Sequence, residues 1–174
     1  MPAMHGVHHI TMVSSNARRT VAFFTELLGL SVVKRTVNLD PPHDYRLYFG
    51  DAAGSPGTLV TFFEWPSAGP GRAGWGGVHH LSLGVSDEEA LLKWKRRLTD
   101  AGVPVSGPFD RGYFTSIYFR DPDGQVLEIA TEGPGFSVDE HPERLGRSLQ
   151  LPSWLEGQRE QISSALVPLE VGNT

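Results

Sequence analysis

Two short strings, Gly6-Val7-His8-His9-Ile10-Thr11 and Gly77-Val78-His79-His80-Leu81-Ser82, repeat one pattern 71 residues apart. Each opens on a glycine, carries paired histidines and continues with apolar–polar alternation. Each also leads into a helix-like stretch and then strand-like runs, so one structural unit is used twice. A repeated His-bearing strand in a chain of 174 residues can place two imidazoles across a pseudo-twofold axis. That arrangement suits a metal ion, and one carboxylate would complete the set.

The first unit is predicted to read βαβββ. Strand Val7–Val13 leads through Ser14-Ser15-Asn16 into a helix carrying Val21, Phe23, Phe24, Leu27 and Leu28. That three- and four-residue spacing makes one buried stripe, and Gly29 stops the helix. Strands follow at Ser31–Asn38, Tyr45–Gly50 and Thr58–Glu64. The second unit repeats this order. Strand Val78–Val85 meets Ser86-Asp87-Glu88-Glu89, read as a capping box of Ser86 and Glu89. A helix with Leu91, Leu92, Trp94 and Leu98 then stops near Gly102. Strands are expected at 103–106, 115–120 and 125–131, with Asp121-Pro122-Asp123-Gly124 as the last turn. The whole chain, 1–174, is expected to be a single domain: module 6–66, a Gly/Pro-rich linker 67–76, module 77–132 and a tail 133–174. In the tail a short helix over Glu156–Leu166 is expected, docked by Trp154, Leu155 and Leu166.

Composition narrows the function. The net charge of -5 argues against nucleic acid or an anionic membrane, which both require concentrated basic surface. The cluster Lys93, Lys95, Arg96, Arg97 reads as a solvated helix face. The absence of cysteine excludes disulfides, thiolate metal sites and a cysteine nucleophile. No apolar run approaches the roughly 20 residues of a membrane span, and the N-terminal residues have no signal-peptide pattern. A cytoplasmic location is the default expectation.

Strand parity sorts the candidates for chemistry. Ile10 and Met12 share a face with His8, and Leu81, Leu83 and Val85 share one with His79. These apolar faces should pack under the helices, leaving His9 and His80 on the opposite, more polar face. In Val126-Leu127-Glu128-Ile129-Ala130 the alternation turns Leu127 and Ile129 to the helix and Glu128 away. A carboxylate inside an apolar strand is costly to bury unless paired or cation-bound. His9, His80 and Glu128 thus form a candidate facial triad, best suited to Fe(II), with Mn(II) or Zn(II) as further options. A structural or surface role for each His, and an arginine partner for Glu128, are the competing readings.

Paired βαβββ units with His on each first strand and Leu-Glu-Ile on the last resemble the vicinal oxygen chelate superfamily, over about Gly6–Glu132. That superfamily includes glyoxalase I, fosfomycin and bleomycin resistance proteins and type I extradiol dioxygenases. The string Ile117-Tyr118-x-x-Asp121-Pro122-x-Gly124-x-x-x-Glu128 is similar to the extradiol dioxygenase signature. Lys34-Arg35-Thr36-Val37-Asn38, the segment 128–136 and Leu151-Pro-Ser-Trp-Leu155 resemble a narrower, hydroquinone-type ring-cleaving group, whose members are about twice this length. The resemblance implies an α+β fold in which two tandem modules form an open, cleft-like mixed β-sheet barrel, helices outside, with a C-terminal helical tail. It also implies an Fe(II)-dependent dioxygenase acting with O₂ on a catechol or hydroquinone, with Tyr118 assisting at the substrate and a homodimeric assembly.

The chain departs from the family pattern twice. The acid–base His expected ahead of Ile117-Tyr118 is missing, since that stretch holds Phe109, Asp110 and Arg111; His43, in a Pro-Pro-His-Asp loop, or Tyr113 is the candidate substitute. Glyoxalase I needs a fourth protein ligand on the last strand of the first unit. Four residues after the turn glycine, Gly124 leads to Glu128 but Gly57 leads to Thr61, which has no carboxylate. Phe62 and Trp75, with Tyr113 and Tyr118, are expected to wall an aromatic pocket, and Arg111 is a candidate partner for an anionic group. A non-oxidative lyase or isomerase of the glyoxalase type, and a metal-free ligand-binding protein of the bleomycin-resistance type, are the alternatives.

Overall fold

The computed structural model describes residues 2–40 and 42–169. The first unit contains β1 (His9–Ser14), α1 (Ala17–Ala22) widening into a π-type turn at Phe23–Leu27, β2 (Ser31–Val37), β3 (Tyr45–Gly50) and β4 (Leu59–Glu64). The second contains β5 (Leu81–Val85), α2 (Glu88–Asp100), β6 (Ser106–Asp110), β7 (Phe114–Arg120) and β8 (Val126–Pro134). The sheets have equivalent orders, β1-β4-β3-β2 and β5-β8-β7-β6, with the first and last strands of each unit running parallel. The fold is therefore α+β with two tandem modules, and both sheets are open. Among the described residues no helix is long and apolar enough to cross a membrane.

The helices form where the sequence supplies a cap and an apolar stripe. Asn16 Oδ1 accepts the Arg19 amide at 3.0 Å, and Gly29, at φ +74°, ends the helix where a Cβ would be strained. Ala17, Thr20, Phe24 and Leu28 are buried at three- and four-residue spacing. Phe24 is the hub of the first core, its ring 4.9 Å from Phe62 and 5.4 Å from Phe49. Helix α2 is capped by Asp87, which accepts the Ala90 amide at 2.9 Å. This corrects the Ser86–Glu89 capping box: Ser86 donates to Asp87 instead, one residue from the expected position.

Several other expectations shift. Strand β1 starts at His9 and β5 at Leu81, so Val7, His8, Val78 and His79 lie outside the ladders and are exposed. His8 and His79 therefore do not sit under the helices. Strand β6 begins where the predicted strand ended, because pairing Phe109 with Ser116 and Asp110 with Thr115 carries it past Gly107-Pro108. An edge strand tolerates that proline, having no neighbour on its outer side to need the missing amide. The basic cluster on α2 is not simply solvated. Lys95 donates to the Gly107 carbonyl at 2.6 Å, and Arg97 donates to those of Leu27 and Glu26, both at 2.7 Å. The tail helix, α3 (Arg159–Ala165), follows a 3₁₀ segment at Ser153–Gln158. Trp154 and Leu166 remain exposed instead of docking.

The units meet through helices and one turn. Besides the Arg97 bonds, Phe23 lies 6.3 Å from Phe119. Asp123, in the β7–β8 turn, accepts from the Ser15 amide at 3.0 Å, the Ser15 hydroxyl at 2.5 Å and Arg19 at 2.6 Å. Burial raises the Asp123 pKa, but the Ser15 bonds and the Arg19 charge outweigh it, holding the carboxyl below the usual range.

Because the folded pKa is depressed, this clamp stabilises the protein above the unfolded carboxyl's pKa and is lost as pH falls through the folded value. Asp123→Ala should cost about 1–2 kcal/mol at pH 7, the order expected for charged hydrogen bonds with a half-exposed guanidinium. Urea titrations of both proteins from pH 7 to pH 3 should show that difference shrinking below about pH 4.

Candidate functional site

The two sheets place one chemically loaded position in register. In the second unit Ser82 pairs with Glu128 and Glu128 with Tyr118. In the first unit Thr11 pairs with Thr61 and Thr61 with Tyr48. Both β-turns that set this register contain a glycine of positive φ, Gly57 at +90° and Gly124 at +87°, four residues before Thr61 and Glu128. Only glycine adopts that conformation without strain. Leu127 and Ile129 turn to the core, while Glu128 lies on the opposite face and is still only 2% exposed.

His80 reaches this carboxylate, its Nε2 standing 3.1 Å from Glu128 Oε2. The Tyr118 ring stands edge-on to His80, 5.7 Å between centroids. Arg111 donates to the Tyr118 hydroxyl at 3.3 Å, and its guanidinium lies over the Tyr118 and Phe109 rings at 5.4 and 5.3 Å. Glu128 Oε1 and the Ser116 hydroxyl are both buried without a hydrogen-bond partner. Burial raises the Glu128 pKa, but the nearby hydroxyls of Tyr118, Ser116 and Ser82, and then His80, more than offset it. These hydroxyls act from beyond good hydrogen-bond geometry, since Oε1 remains unpaired. The net effect keeps Glu128 below the ordinary carboxylate range, ready to present negative charge.

The remaining candidates are distributed around this pair. His9 heads β1 on the first sheet, opposite Leu59, with its Nδ1 3.0 Å from His8 Nδ1. Among the described residues no three His, Asp or Glu side chains converge, so one chain brings His80 and Glu128 together but not His9. Thr61 is fully buried and bonded to Thr11, Oγ1 to Oγ1, at 2.6 Å. Glu64, the nearest carboxylate in sequence, is engaged by the amides of Ala17 at 2.8 Å and Tyr45 at 3.2 Å. His43 is exposed in the β2–β3 turn. Tyr113 stacks on Phe136 and donates to Asp139 at 3.1 Å. Two expected pocket walls are absent: Phe62 is in the core and Trp75 is fully exposed in the connector. Ser116 escaped the sequence reading, although two-residue alternation from Tyr118 was a signal that could have found it.

The profile of the Glyoxalase/Bleomycin resistance protein/Dioxygenase superfamily matches residues 6–129, and the chain belongs to that family. A candidate ring-cleaving dioxygenase of Bacillus subtilis (strain 168), MhqA, is 23% identical, with 96% of this chain and 99% of the relative covered. That alignment runs over 314 positions, so the relative carries much sequence with no counterpart here. A chlorohydroquinone/hydroquinone 1,2-dioxygenase of Sphingobium indicum is 31% identical over 170 residues, covering 97% of this chain and 46% of that enzyme. The chain thus spans about half the length of that relative. The solved structure of a candidate dioxygenase from Bacillus subtilis superposes with a TM-score of 0.58 at 24% identity, covering 97% of this chain and 98% of the other. That likeness speaks to the fold.

A buried carboxylate with an unpaired oxygen weakens the protein that carries it. In chelator-treated protein, Glu128→Leu should therefore leave stability unchanged or raise it by about 1 kcal/mol. Thermal and urea unfolding provide the measurement. A loss above about 2 kcal/mol would mean that the carboxylate is structurally satisfied.

Proposed function

We propose that the protein is a metal-dependent, extradiol-type ring-cleaving dioxygenase acting on a hydroxylated aromatic such as a catechol or hydroquinone. The observation that carries this reading is the Glu128 carboxylate, sunk in a sheet beside His80 with Oε1 unpartnered. An imidazole nitrogen and a buried, unpaired carboxylate oxygen fit a divalent cation, whose charge would offset the cost of burying that oxygen. His80 and Glu128 would hold it, with His9, which stands apart from them within the chain, as the third donor that the sequence repeat suggests. This donor set suits Fe(II) best, then Mn(II) or Zn(II). Such a cation supplies Lewis acidity to the substrate's hydroxyl groups and electron transfer to O₂.

The chain's own residues account for the other requirements. Tyr118 stands against both His80 and Glu128, where its hydroxyl can exchange a proton with a substrate hydroxyl. Arg111 orients that hydroxyl and offers a counter-charge to a phenolate. The proton-handling role therefore goes to Tyr118, with His43 in an exposed turn and Tyr113 engaged by Asp139. Thr61 stands where a fourth protein ligand would be needed, and a hydroxyl bonded to Thr11 is no substitute for a carboxylate. The three-donor count favours ring cleavage over glyoxalase chemistry. The hydroquinone dioxygenase relative supports an aromatic substrate and O₂. Both oxygen atoms of O₂ enter the opened ring, so no external reductant is consumed.

Two measurements test this reading. His80→Ala and Glu128→Ala should each lower metal affinity by at least about 100-fold, more than loss of an outer-shell partner usually costs; unchanged metal content would place the site elsewhere. With Fe(II) under air, the protein should consume O₂ in step with loss of a substituted catechol or hydroquinone. Tyr118→Phe should then retain iron while kcat falls about 10²–10⁴-fold. Iron-loaded protein that takes up no O₂ across the panel would rule out the oxidative reading.

A further inference from the structure

Independently of the metal reading, we infer that the first unit carries a binding site of its own, in which Lys34 and Arg46 hold the anionic group of a small aromatic carboxylate. Across β2 and β3, Lys34 pairs with Tyr48 and Thr36 with Arg46, and β4 sets Thr61 beside Tyr48 and Phe63 beside Arg46. Residues paired across a ladder share a face, and this face lies opposite Leu47 and Phe49, which are buried in the core. Lys34 and Arg46 are therefore diagonal neighbours on the side away from the core, at a separation that long side chains bridge. Two like charges so placed repel each other, and an anion shared between them removes the conflict. Within the four strands this face offers no carboxylate: Glu64 has the opposite parity and accepts the Ala17 amide at 2.8 Å. Among the described residues no carboxylate forms an ion pair with either cation.

The geometry prepares Arg46 for an acceptor. Its guanidinium carbon lies 4.8 Å from the centre of the Phe63 ring and 5.2 Å from that of Tyr48. These contacts fix the guanidinium without consuming its N–H groups. Arg46 Nε is buried and has no hydrogen-bond partner, so part of this cation is taken out of water with nothing in the chain to offset the cost. A carboxylate accepting from the terminal Nη groups would supply the missing counter-charge in a geometry that matches the guanidinium plane. Lys34, Thr36 and Tyr48 also line an open depression of about 520 Å³, with Val33 and Leu59 as apolar walls. Arg46, which pairs with Thr36 and covers the Tyr48 ring, stands at its rim. The volume falls within the range of small-molecule sites. An apolar and aromatic lining with cations at one side is the chemistry that receives an aromatic acid, and it leaves an inorganic anion half-matched.

Titration of the isotope-labelled full chain with benzoate, and with its neutral counterpart benzamide, tests this by the shifts of backbone amide resonances. Benzoate should move the amides of Lys34, Thr36, Arg46 and Tyr48, and benzamide should bind about 10-fold more weakly or less, since it cannot accept as an anion. Lys34 is exposed, so Lys34→Gln should fold and should weaken benzoate binding about 10-fold. Arg46→Gln should do the same, and Arg46→Lys should restore only part of the affinity, because an ammonium lacks the planar fork. The same spectra show whether each variant is folded, and Lys34→Gln decides the matter if Arg46→Gln is not. Glu128→Ala should bind benzoate as the wild type does, so a failed metal reading leaves this site standing. Equal binding of benzoate and benzamide would overturn the inference. So would wild-type affinity in Lys34→Gln, shifts centred on His80 and Glu128, or no shift with benzoate at all.

Discussion

Glu128 is a carboxylate enclosed by its sheet on the face away from the hydrophobic core. Leu127 and Ile129 on either side are drawn into the core, and the two-residue alternation of the strand leaves Glu128 no choice of direction. Ser82 and Tyr118 flank it in the ladder, His80 reaches one oxygen, and the other is left without a partner. Burying a charge half-satisfied is unfavourable, so the rest of the unit must hold it there. The parallel β5–β8 pairing, the Gly124 turn and the core beneath supply that rigidity. Stability is given up at one point for a donor set that a cation would complete.

The first unit shows what the same scaffold does without the charge. Thr61 holds the equivalent register, Thr11 replaces Ser82, Tyr48 replaces Tyr118, and the two threonine hydroxyls satisfy each other at 2.6 Å. Duplication thus yields two similar sheets, one closed chemically and one open. The asymmetry makes the units complementary instead of redundant. One carries His9 at the head of β1, and the other carries the neighbouring group His80, Glu128, Tyr118 and Arg111. Among the described residues, the packing within a chain does not bring His9 together with His80 and Glu128.

Much of this architecture was legible because it is local or periodic. The repeat revealed the duplicated βαβββ order. Alternation separated Glu128 from Leu127 and Ile129, and counting from Gly57 and Gly124 aligned Thr61 with Glu128. The sequence reading failed where neighbours in space decide the outcome. Asp87 took the cap from Ser86, β6 ran through Gly107-Pro108 because β7 offered a ladder, and Phe62 joined the Phe24–Phe49 core instead of a pocket. Lys95 and Arg97 look like surface charge in sequence, yet they hold carbonyls of other segments.

By itself, then, the sequence determined the elements, their duplication and the strand face of each candidate donor, because helix and strand periods act over a few residues. It also determined that the first unit lacks a carboxylate at the fourth position. Tertiary structure alone decided which donors meet. His80 and Glu128 converge because parallel pairing of β5 with β8 brings together residues almost 50 positions apart. His9 stands apart because the bonds from Arg97 on α2 to the Phe23–Leu27 turn and the Asp123 clamp set the placement of the two sheets. No periodicity encodes that placement, since it arises from side chains such as Arg97 and Asp123 bonding across units that are distant in sequence.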